Sequence, residues 1–491
     1  GLQRNCSAVY ARRVTSLQPN PLLPQPFIFG VATAGFQIEG GYNGPNEPTN
    51  NWAPWEAAGR VEPSGWAVGF WEDYEEHLDR AASIGLDAFR LSIEWARCLP
   101  QEGIVDDEAV LRYRSILSAI HARGMTPLVT LHHFTHPGWL PVEFWTDPES
   151  PTTFLVWVEF AIATFGDLCN QWITSNELNI YSVNSFLTGI FPPGWRGKFQ
   201  ATMASIDHLL TAHVLAYAAI HAIQPDAIVA TNNYSLSIYE LDRMPLDLLM
   251  ARRQGIAEPD LGRWLEMRRR RHYDLVPKGP GPIYPYLEEG LRQLTSSKVD
   301  LATALPRARA AIYASEYDCT LDVAQLDYYA PVAAEHLVLP GTPTTGGRNT
   351  LPARSLWDDR PDPAMFTTYC IEARDLGMPV WVVENGMCNR VVNGRSFARA
   401  DGWDRPRYLR ENFGALIDAV AQGVDVRAYF HWTLVDNYEW GSYEPRFGLF
   451  GCDRPRGNKI SALDAMGRDS AGAYRAIIEA IRTGDASALG R

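Results

Sequence analysis

The chain has 491 residues, of which 46% are hydrophobic and 21% are charged, a balance typical of a globular protein with a large core. Its formal net charge of −13 argues against nucleic acid as a partner, because binding nucleic acid requires a basic surface. The run Arg268–Arg271 is the one basic cluster, and we expect it to be a solvated helix face.

The cysteines and the N-terminal segment bear on the compartment. The seven cysteines have no regular spacing, which favours reduced thiols in a cytoplasmic protein. We find no apolar run as long as a transmembrane helix and therefore expect no membrane partner. Residues 1–26 lack the apolar core of a signal peptide and are interpreted as an N-terminal extension, although a chain that starts at glycine leaves secretion open.

One junction between two kinds of segment recurs along the chain. A segment with helical periodicity ends at a glycine, which suits the left-handed position just past a helix, and an apolar run follows it. Runs that are apolar almost throughout are typical of strands covered on both faces. The junction occurs in SIGLDAFRLSI (83–93), ARGMTPLVTL (122–131), DLGMPVWVVE (375–384) and AQGVDVRAYFHW (421–432).

The alternation of strands and helices predicts an α/β fold with a parallel sheet. Eight such units within residues 27–485 favour a single (β/α)8 TIM barrel with long βα loops over an open sheet. The irregular stretches 240–310 and 338–362 are interpreted as two of these loops. The predicted strands lie near residues 27–33, 86–93, 125–131, 171–176, 227–232, 322–328, 379–384 and 426–432.

Polar and aromatic residues stand at the ends of the predicted strands, where barrels carry their functional groups. Carboxylates and amides bond hydroxyl groups, and indole rings stack on the apolar faces of sugars, so the set points to a carbohydrate. Its members are Gln37, Glu39, Arg90, His133, Asn176, Glu177, Asp327, Tyr329, Glu384, Trp432, Glu439 and Trp440.

Two glutamates occupy matching positions at the ends of strands. Glu177 ends the run WITSNE (172–177), and Glu384 stands in VVENG (382–386). Two facing carboxyl groups are what cleavage of a glycosidic bond requires. The alternative is that each glutamate serves a local network or pairs with an arginine, which is less convincing for both together.

Six segments in order resemble glycoside hydrolase family 1, the β-glucosidase family, from about residue 27 to about 452. The resemblance implies a (β/α)8 barrel, a retaining β-glycosidase and no cofactor or metal. The similar segments are FIFGVATAGFQIEGG (27–41), FRLSIEWARCLP (89–100), LVTLHHFTHPGWL (128–140), TSNEL (174–178), VVENG (382–386) and YFHWTLVDNYEWGSYEPRFGLF (429–450).

The resemblance also implies a role for each residue. Glu177 is the general acid/base and Glu384 the nucleophile, with Arg90 and Tyr329 bound to Glu384. Glu39 is expected to support the fold rather than touch substrate. Taken singly, His133 could be a core histidine, the tryptophans could be core, and Gln37 could satisfy backbone groups. The implied substrate-binding residues are Gln37, His133, Asn176, Tyr329, Trp432, Glu439 and Trp440.

The chain departs from the family pattern at a few positions. Ser175 and Leu178 replace the usual Phe and Pro around the acid/base, and Val383 replaces a Thr before the nucleophile. Asp327 stands where the family usually has Asn, so a third carboxylate is expected near the mouth, with an altered aglycone preference. Phospho-glycosidases of the family usually have Ser in place of Trp440, which favours a neutral hexose here.

We therefore expect a retaining β-glycosidase, above all a β-glucosidase with β-galactosidase or β-fucosidase activity, acting on a small β-glycoside or oligosaccharide. A transglycosidase that uses the same two glutamates is one alternative. A non-catalytic sugar-binding barrel is the other, and the retention of both glutamates argues against it. The sequence carries no prediction of oligomeric state.

Overall fold

The computed structural model describes residues 22–337, 355–453 and 459–490. Eight parallel strands form a nearly closed barrel, so both the fold class and the eight predicted strands are confirmed. Most of the predicted N-terminal extension, and residues 338–354 of the second predicted loop, lie outside the described residues. The strands are Ile28–Ala32, Ala88–Ser92, Thr126–Thr130, Gln171–Ile173, Ile228–Ala230, Ala324–Tyr328, Val380–Asn385 and Val426–Trp432.

The first and eighth strands close the barrel on one side. Gly30 is in register with Ala88 of the second strand and with Phe430 of the eighth. On the other side the fifth and sixth strands meet at a seam, an isolated parallel bridge between Tyr234 and Asp327. The carboxyl ends of all eight strands therefore surround one mouth.

Helices follow the strands and cover the outside of the barrel. The four glycines of the predicted junctions, Gly85, Gly124, Gly377 and Gly423, adopt left-handed backbone with φ of 87°, 74°, 69° and 85°. The junctions are thus confirmed. The covering helices are Phe70–Ile84, Asp107–Ala122, Ser150–Phe165, Phe199–Ile223, Pro363–Arg374, Arg405–Ala421 and Ser470–Thr483.

One covering helix bears on the expectation about membranes. Phe199–Ile223 is long and apolar enough to cross a membrane by length and composition, so the sequence reading missed it. In its most apolar window, 72% of the helix is buried within the protein. It packs between the helices Ser150–Phe165 and Pro306–Ala314, as a core helix does.

The stretch 240–310 is helical, and its interpretation as an irregular loop is wrong. Four helices occupy the connection between the fifth and sixth strands. The first is short and buried all round, and the other three bury few apolar side chains, so hydrophobic periodicity gives little sign of any of them. They are Arg243–Met250, Leu261–Leu275, Tyr284–Ser296 and Pro306–Ala314.

Ion pairs hold this helical insertion together and attach it to the end of a covering helix. Arg268 pairs with the buried carboxylate of Asp247 at 3.0 Å and with Asp375 at 3.6 Å. Arg269 pairs with the buried Glu240 at 3.2 Å. The expectation of a solvated basic face is therefore wrong for these two arginines, because they neutralise carboxylates that the sequence does not place near them.

Candidate active site

The residues singled out from the sequence meet at the mouth of the barrel. Those on the strands and the turns just after them are buried, apart from Tyr329 and Trp440, which are half-buried. Because the surrounding loops exclude water, charges and hydrogen bonds act strongly here. The cysteines of the described residues are also buried, and none of them is in a disulfide. The cytoplasmic location stays a prediction.

Glu384 lies at the end of the seventh strand and is held by two donors. Arg90 Nη1 donates to its Oε1 at 2.8 Å, and the Tyr329 hydroxyl donates to its Oε2 at 2.8 Å. Burial raises the pKa of Glu384, while Arg90 and Tyr329 act in the opposite direction. Two residues after Glu384, a Cβ at Gly386 would collide with the carbonyl oxygen of Trp432. The strand end can therefore approach the eighth strand closely.

Glu177 follows the fourth strand and turns the chain into a short helix. Its φ of 38° is left-handed, which is uncommon for a residue other than glycine and often marks a functional site. Its carbonyl oxygen accepts the first hydrogen bond of the helix Leu178–Ser182, from Tyr181 N at 3.0 Å. Burial, then the charges of Glu384 and Asp327, raise the pKa of Glu177 well above its usual range.

Three carboxyl groups meet at this point. One oxygen each from Glu177, Asp327 and Glu384 lie within 4.8 Å of one another. Such spacing could in principle hold a metal ion. Oxygens of Glu384 are already bound by Arg90 and Tyr329, so part of this set faces protein donors.

Asn176 connects the two halves of the site. Its Oδ1 accepts hydrogen bonds from Arg90 Nη2 at 2.5 Å and from Asn232 Nδ2 at 3.0 Å. These two donors fix the orientation of the amide, so its Nδ2 donates to His133 Nε2 at 3.2 Å. His133 Nδ1 is buried and has no partner in the described parts of the chain, which leaves an N–H for a ligand.

The other half of the site centres on Glu439. Gln37 Nε2 donates to its Oε2 at 3.1 Å, and Trp432 Nε1 donates to its Oε1 at 3.1 Å. Burial raises the pKa of Glu439 to about 8, although both donors oppose this. The His133 ring is stacked with the rings of Trp432 and Trp440, at centroid distances of 5.8 Å and 5.7 Å.

Two neighbouring residues serve the fold, as expected. Glu39 accepts hydrogen bonds from Arg97 at 3.0 Å and from Tyr113 at 2.8 Å. His132 faces away from His133, because its two ring nitrogens contact Ser175 and Trp145. Adjacent residues of a strand point to opposite faces, so the two histidines do not converge on one metal ion.

Sequence reasoning missed Asn232. It follows the fifth strand, is buried, and its Nδ2 donates to both Asn176 and Asp327. The signal was present in the run ATNN (230–233), a polar residue at a strand end, but the fifth strand contributed nothing to the predicted set. Its importance depends on the seam with the sixth strand, which strand prediction alone does not locate.

Known proteins with similar sequences include glycosidases. The family model described as glycosyl hydrolase family 1 matches residues 20–278 and 353–482. Beta-glucosidase 22 of Oryza sativa subsp. japonica is 26% identical, over 89% of this chain and 85% of that protein. The 6-phospho-beta-galactosidase 1 of Streptococcus pneumoniae is 25% identical, over 91% of this chain and 97% of its own.

Solved structures show the same fold. A beta-glucosidase from Thermotoga maritima, in complex with azafagomine, superposes with a TM-score of 0.69 and 22% identity. The match covers 94% of this chain and 99% of that one.

Proposed function

The chain belongs to glycosyl hydrolase family 1 as an O-glycosyl hydrolase, and we propose that it is a retaining β-glycosidase that prefers β-D-glucosides. The observation that carries the proposal is the meeting of Glu177 and Glu384, whose oxygens approach within 4.8 Å. Retaining enzymes place their two carboxyl groups about 5–5.5 Å apart, and inverting enzymes about 6.5–9.5 Å apart. The short approach supports retention.

In the first step Glu384 attacks the anomeric carbon while Glu177 protonates the departing oxygen. The bond between the anomeric carbon and the aglycone breaks, and an ester to Glu384 forms. Arg90 and Tyr329 favour the ionised form of Glu384, so it is available as the nucleophile. The raised pKa of Glu177 keeps its proton available as the acid.

In the second step water cleaves the ester. Glu384 has lost its negative charge in the covalent intermediate, so one cause of the raised pKa of Glu177 is gone. Glu177 can then take a proton from the water as its oxygen attacks the anomeric carbon. Both glutamates return to their starting states, and the sugar leaves with the anomeric configuration of the substrate.

The remaining residues are assigned to the sugar. Asn176 is placed beside Arg90 and is proposed to bond the 2-hydroxyl group, an interaction that strengthens in the transition state. Glu439 and Gln37 are proposed to bond hydroxyl groups on the far side of the ring. Gln37 Oε1 has no partner within the described residues and is available to accept such a bond. Trp432 supplies an apolar face.

A neutral hexose is favoured over a 6-phosphate, although several relatives are 6-phospho-beta-galactosidases. In residues 437–446 the one cationic side chain is Arg446, which is bound to Asp436 at 3.4 Å and to the Cys452 carbonyl at 3.0 Å. Glu439 adds little repulsion of a phosphate near neutral pH, because a pKa of about 8 keeps this carboxyl largely protonated. The preference for a neutral hexose therefore rests on Arg446, whose guanidinium is already bound within the protein.

The test is hydrolysis of a chromogenic panel of β-glucoside, galactoside, fucoside, mannoside, xyloside and 6-phosphoglucoside, with Glu384→Gln as the inactive control. We expect the glucoside to be turned over fastest, and NMR to show the β-anomer of glucose as the first product. An α-anomer as first product would contradict retention. Preference for the 6-phosphoglucoside would contradict the neutral-hexose assignment, and a folded protein without turnover would favour a sugar-binding barrel.

A further inference from the structure

Asp327 departs from the residue type usual in the family, and it lies beside the proposed acid/base. It is fully buried on the sixth strand, and one of its oxygens lies within 4.8 Å of an oxygen of Glu177. Asp327 Oδ1 and Glu177 Oε1 are both buried and receive no hydrogen bond from the described residues. Its Oδ2 also accepts a hydrogen bond from Asn232 Nδ2. Across the seam, Ser235 N donates to the Asp327 carbonyl oxygen at 2.9 Å. These contacts fix Asp327 from the fifth strand, close to the carboxyl group of Glu177.

A hydrogen bond between two carboxyl groups requires a proton on one of them, because two carboxylates offer acceptors alone. Two neighbouring buried carboxyls do not both ionise readily, so the pair keeps a proton that an isolated carboxyl would lose. Burial and then the charge of Glu384 raise the pKa of Asp327 well above its usual range. The same two causes, with Asp327 itself, raise the pKa of Glu177.

The proton belongs to Glu177 rather than to Asp327. A hydrogen bond to a carboxylate favours its ionised form, and Asn232 supplies such a bond to Asp327. Glu177 Oε1 receives no hydrogen bond from the described residues, so nothing comparable favours ionisation of Glu177. Glu177 therefore donates and Asp327 accepts.

Other charged and titratable groups around the pair do not remove this arrangement. The Arg90 guanidinium is directed at Glu384, which is the third anion, and Tyr329 donates to the same carboxylate. The Tyr234 hydroxyl bonds the backbone of Ala330, accepting from its N at 3.0 Å and donating to its O at 3.2 Å. Burial raises the pKa of both phenols, so they stay neutral.

We propose that Asp327 is a positioning residue that shares the acid/base proton with Glu177 and holds it there at alkaline pH. This inference rests on the proposed function of Glu177. In the first step Glu177 gives that proton to the leaving oxygen, and both members of the pair become carboxylates. In the second step the adjacent Asp327 charge makes Glu177 a stronger base, and the proton taken from water restores the pair.

An asparagine at 327 reverses both effects. An amide carries no charge, and its N–H can donate to Glu177, which favours the ionised form. The Asp327→Asn variant should therefore lose the acid proton at lower pH. We expect the basic limb of kcat/KM for an aryl β-glucoside to move toward acid by about one pH unit or more. The matched control is Asp318→Asn, whose side chain is 74% exposed and pairs with Arg252; its profile should match the parent.

A second measurement does not depend on turnover. Infrared difference spectra of the full chain, with 13C-carboxyl glutamate or aspartate, report a protonated carboxyl group by its C=O stretch. Glu94 and Glu439, with pKa values of about 7 and about 8, also contribute such bands near neutral pH. We expect Glu177 to give a further band that persists to higher pH and shifts in position when Asp327 is replaced. Glu177→Gln should remove this band, which assigns it to Glu177.

The outcomes separate the two proposals. An unchanged basic limb in Asp327→Asn, or loss by pH 6 in the parent of the band that Glu177→Gln removes, overturns the role of Asp327. A protein that hydrolyses no member of the glycoside panel but keeps the band contradicts the proposed function, while the proton-sharing pair stands. If Asp327→Asn does not fold, the spectra of the parent and of Glu177→Gln still decide whether Glu177 keeps its proton above neutral pH.

Discussion

Glu177 and Glu384 differ in proton affinity because their neighbours differ. Glu384 is bound by a guanidinium and a phenol, whereas Glu177 faces another carboxyl group. Both positions could be predicted from the sequence, because each ends an apolar strand in a motif. The direct approach of Asp327 to Glu177, and the part played by Asn232, could not, since they depend on the packing of separate strands.

The acid role of Glu177 predicts a dependence on the leaving group. Glu177→Ala should lower kcat/KM for an alkyl β-glucoside by about 10²–10⁴, because the departing alkoxide then lacks a proton donor. A dinitrophenyl β-glucoside, whose leaving group needs no proton, should lose far less in the glycosylation step. The exposed Glu143 supplies a control in Glu143→Ala, expected to behave like the parent. Equal losses on both substrates would contradict the assignment.

At the scale of elements, apolar strands and glycine-terminated helices were predictable, but the insertion between the fifth and sixth strands was not. Its helix Leu261–Leu275 buries Leu261, Leu265 and His272, too few side chains for a clear apolar stripe. Its stability comes instead from contacts with distant carboxylates. His272 Nδ1 lies 2.7 Å from Glu372 Oε1 of the helix Pro363–Arg374, and both side chains are buried.

Breaking this pair should destabilise the protein strongly. Glu372→Gln leaves His272 buried without its charged partner, a change that costs about 3–5 kcal/mol in the free energy of unfolding. Chemical denaturation near pH 5.5 measures it. The control Glu411→Gln removes an exposed pair with Arg407 and should cost less than about 0.5 kcal/mol. Similar small losses in both variants would show that the insertion does not depend on the pair.

The same pair predicts a pH window for its contribution. His272 lowers the pKa of Glu372 to about 2, so this part of the stability is present above about 4.5 and is lost as pH falls toward 2. Glu372 raises the pKa of His272, so that part is present below about 6.5 and is lost as pH rises through the raised value. The difference between parent and Glu372→Gln should be largest between these limits. A difference that grew steadily toward pH 9 would contradict the pairing.

At the scale of the whole molecule, the barrel follows from eight repeats of one strand–helix unit, which the sequence displays. Closure between the first and eighth strands follows from that count. The seam at Tyr234 and Asp327 does not, because a bridge between two single residues leaves no pattern in either strand. The unusual Asp327 lies at that seam, which joins the least predictable part of the fold to the proposed chemistry.

Alanine substitution at Gly30 tests how tightly the first and eighth strands pack, and the same substitution at Gly290 is the control. A Cβ at Gly30 would lie 2.5 Å from Cε1 of Phe430 on the paired eighth strand, so Gly30→Ala should destabilise by about 1–3 kcal/mol. Gly290 is exposed within the helix Tyr284–Ser296 and has open space, so Gly290→Ala should stabilise by about 1 kcal/mol. Denaturant unfolding of both variants measures the difference. A neutral Gly30→Ala would show that the strands are packed less tightly there.

The central claim is that Glu384 forms a covalent glycosyl intermediate. The most direct measurement is reaction with 2-deoxy-2-fluoro-β-D-glucosyl fluoride, followed by peptide mapping with mass spectrometry. We expect one fluoroglucosyl group on the peptide that contains Glu384, and none in Glu384→Gln. A label on another residue, or no label in a protein that hydrolyses β-glucosides, would contradict it.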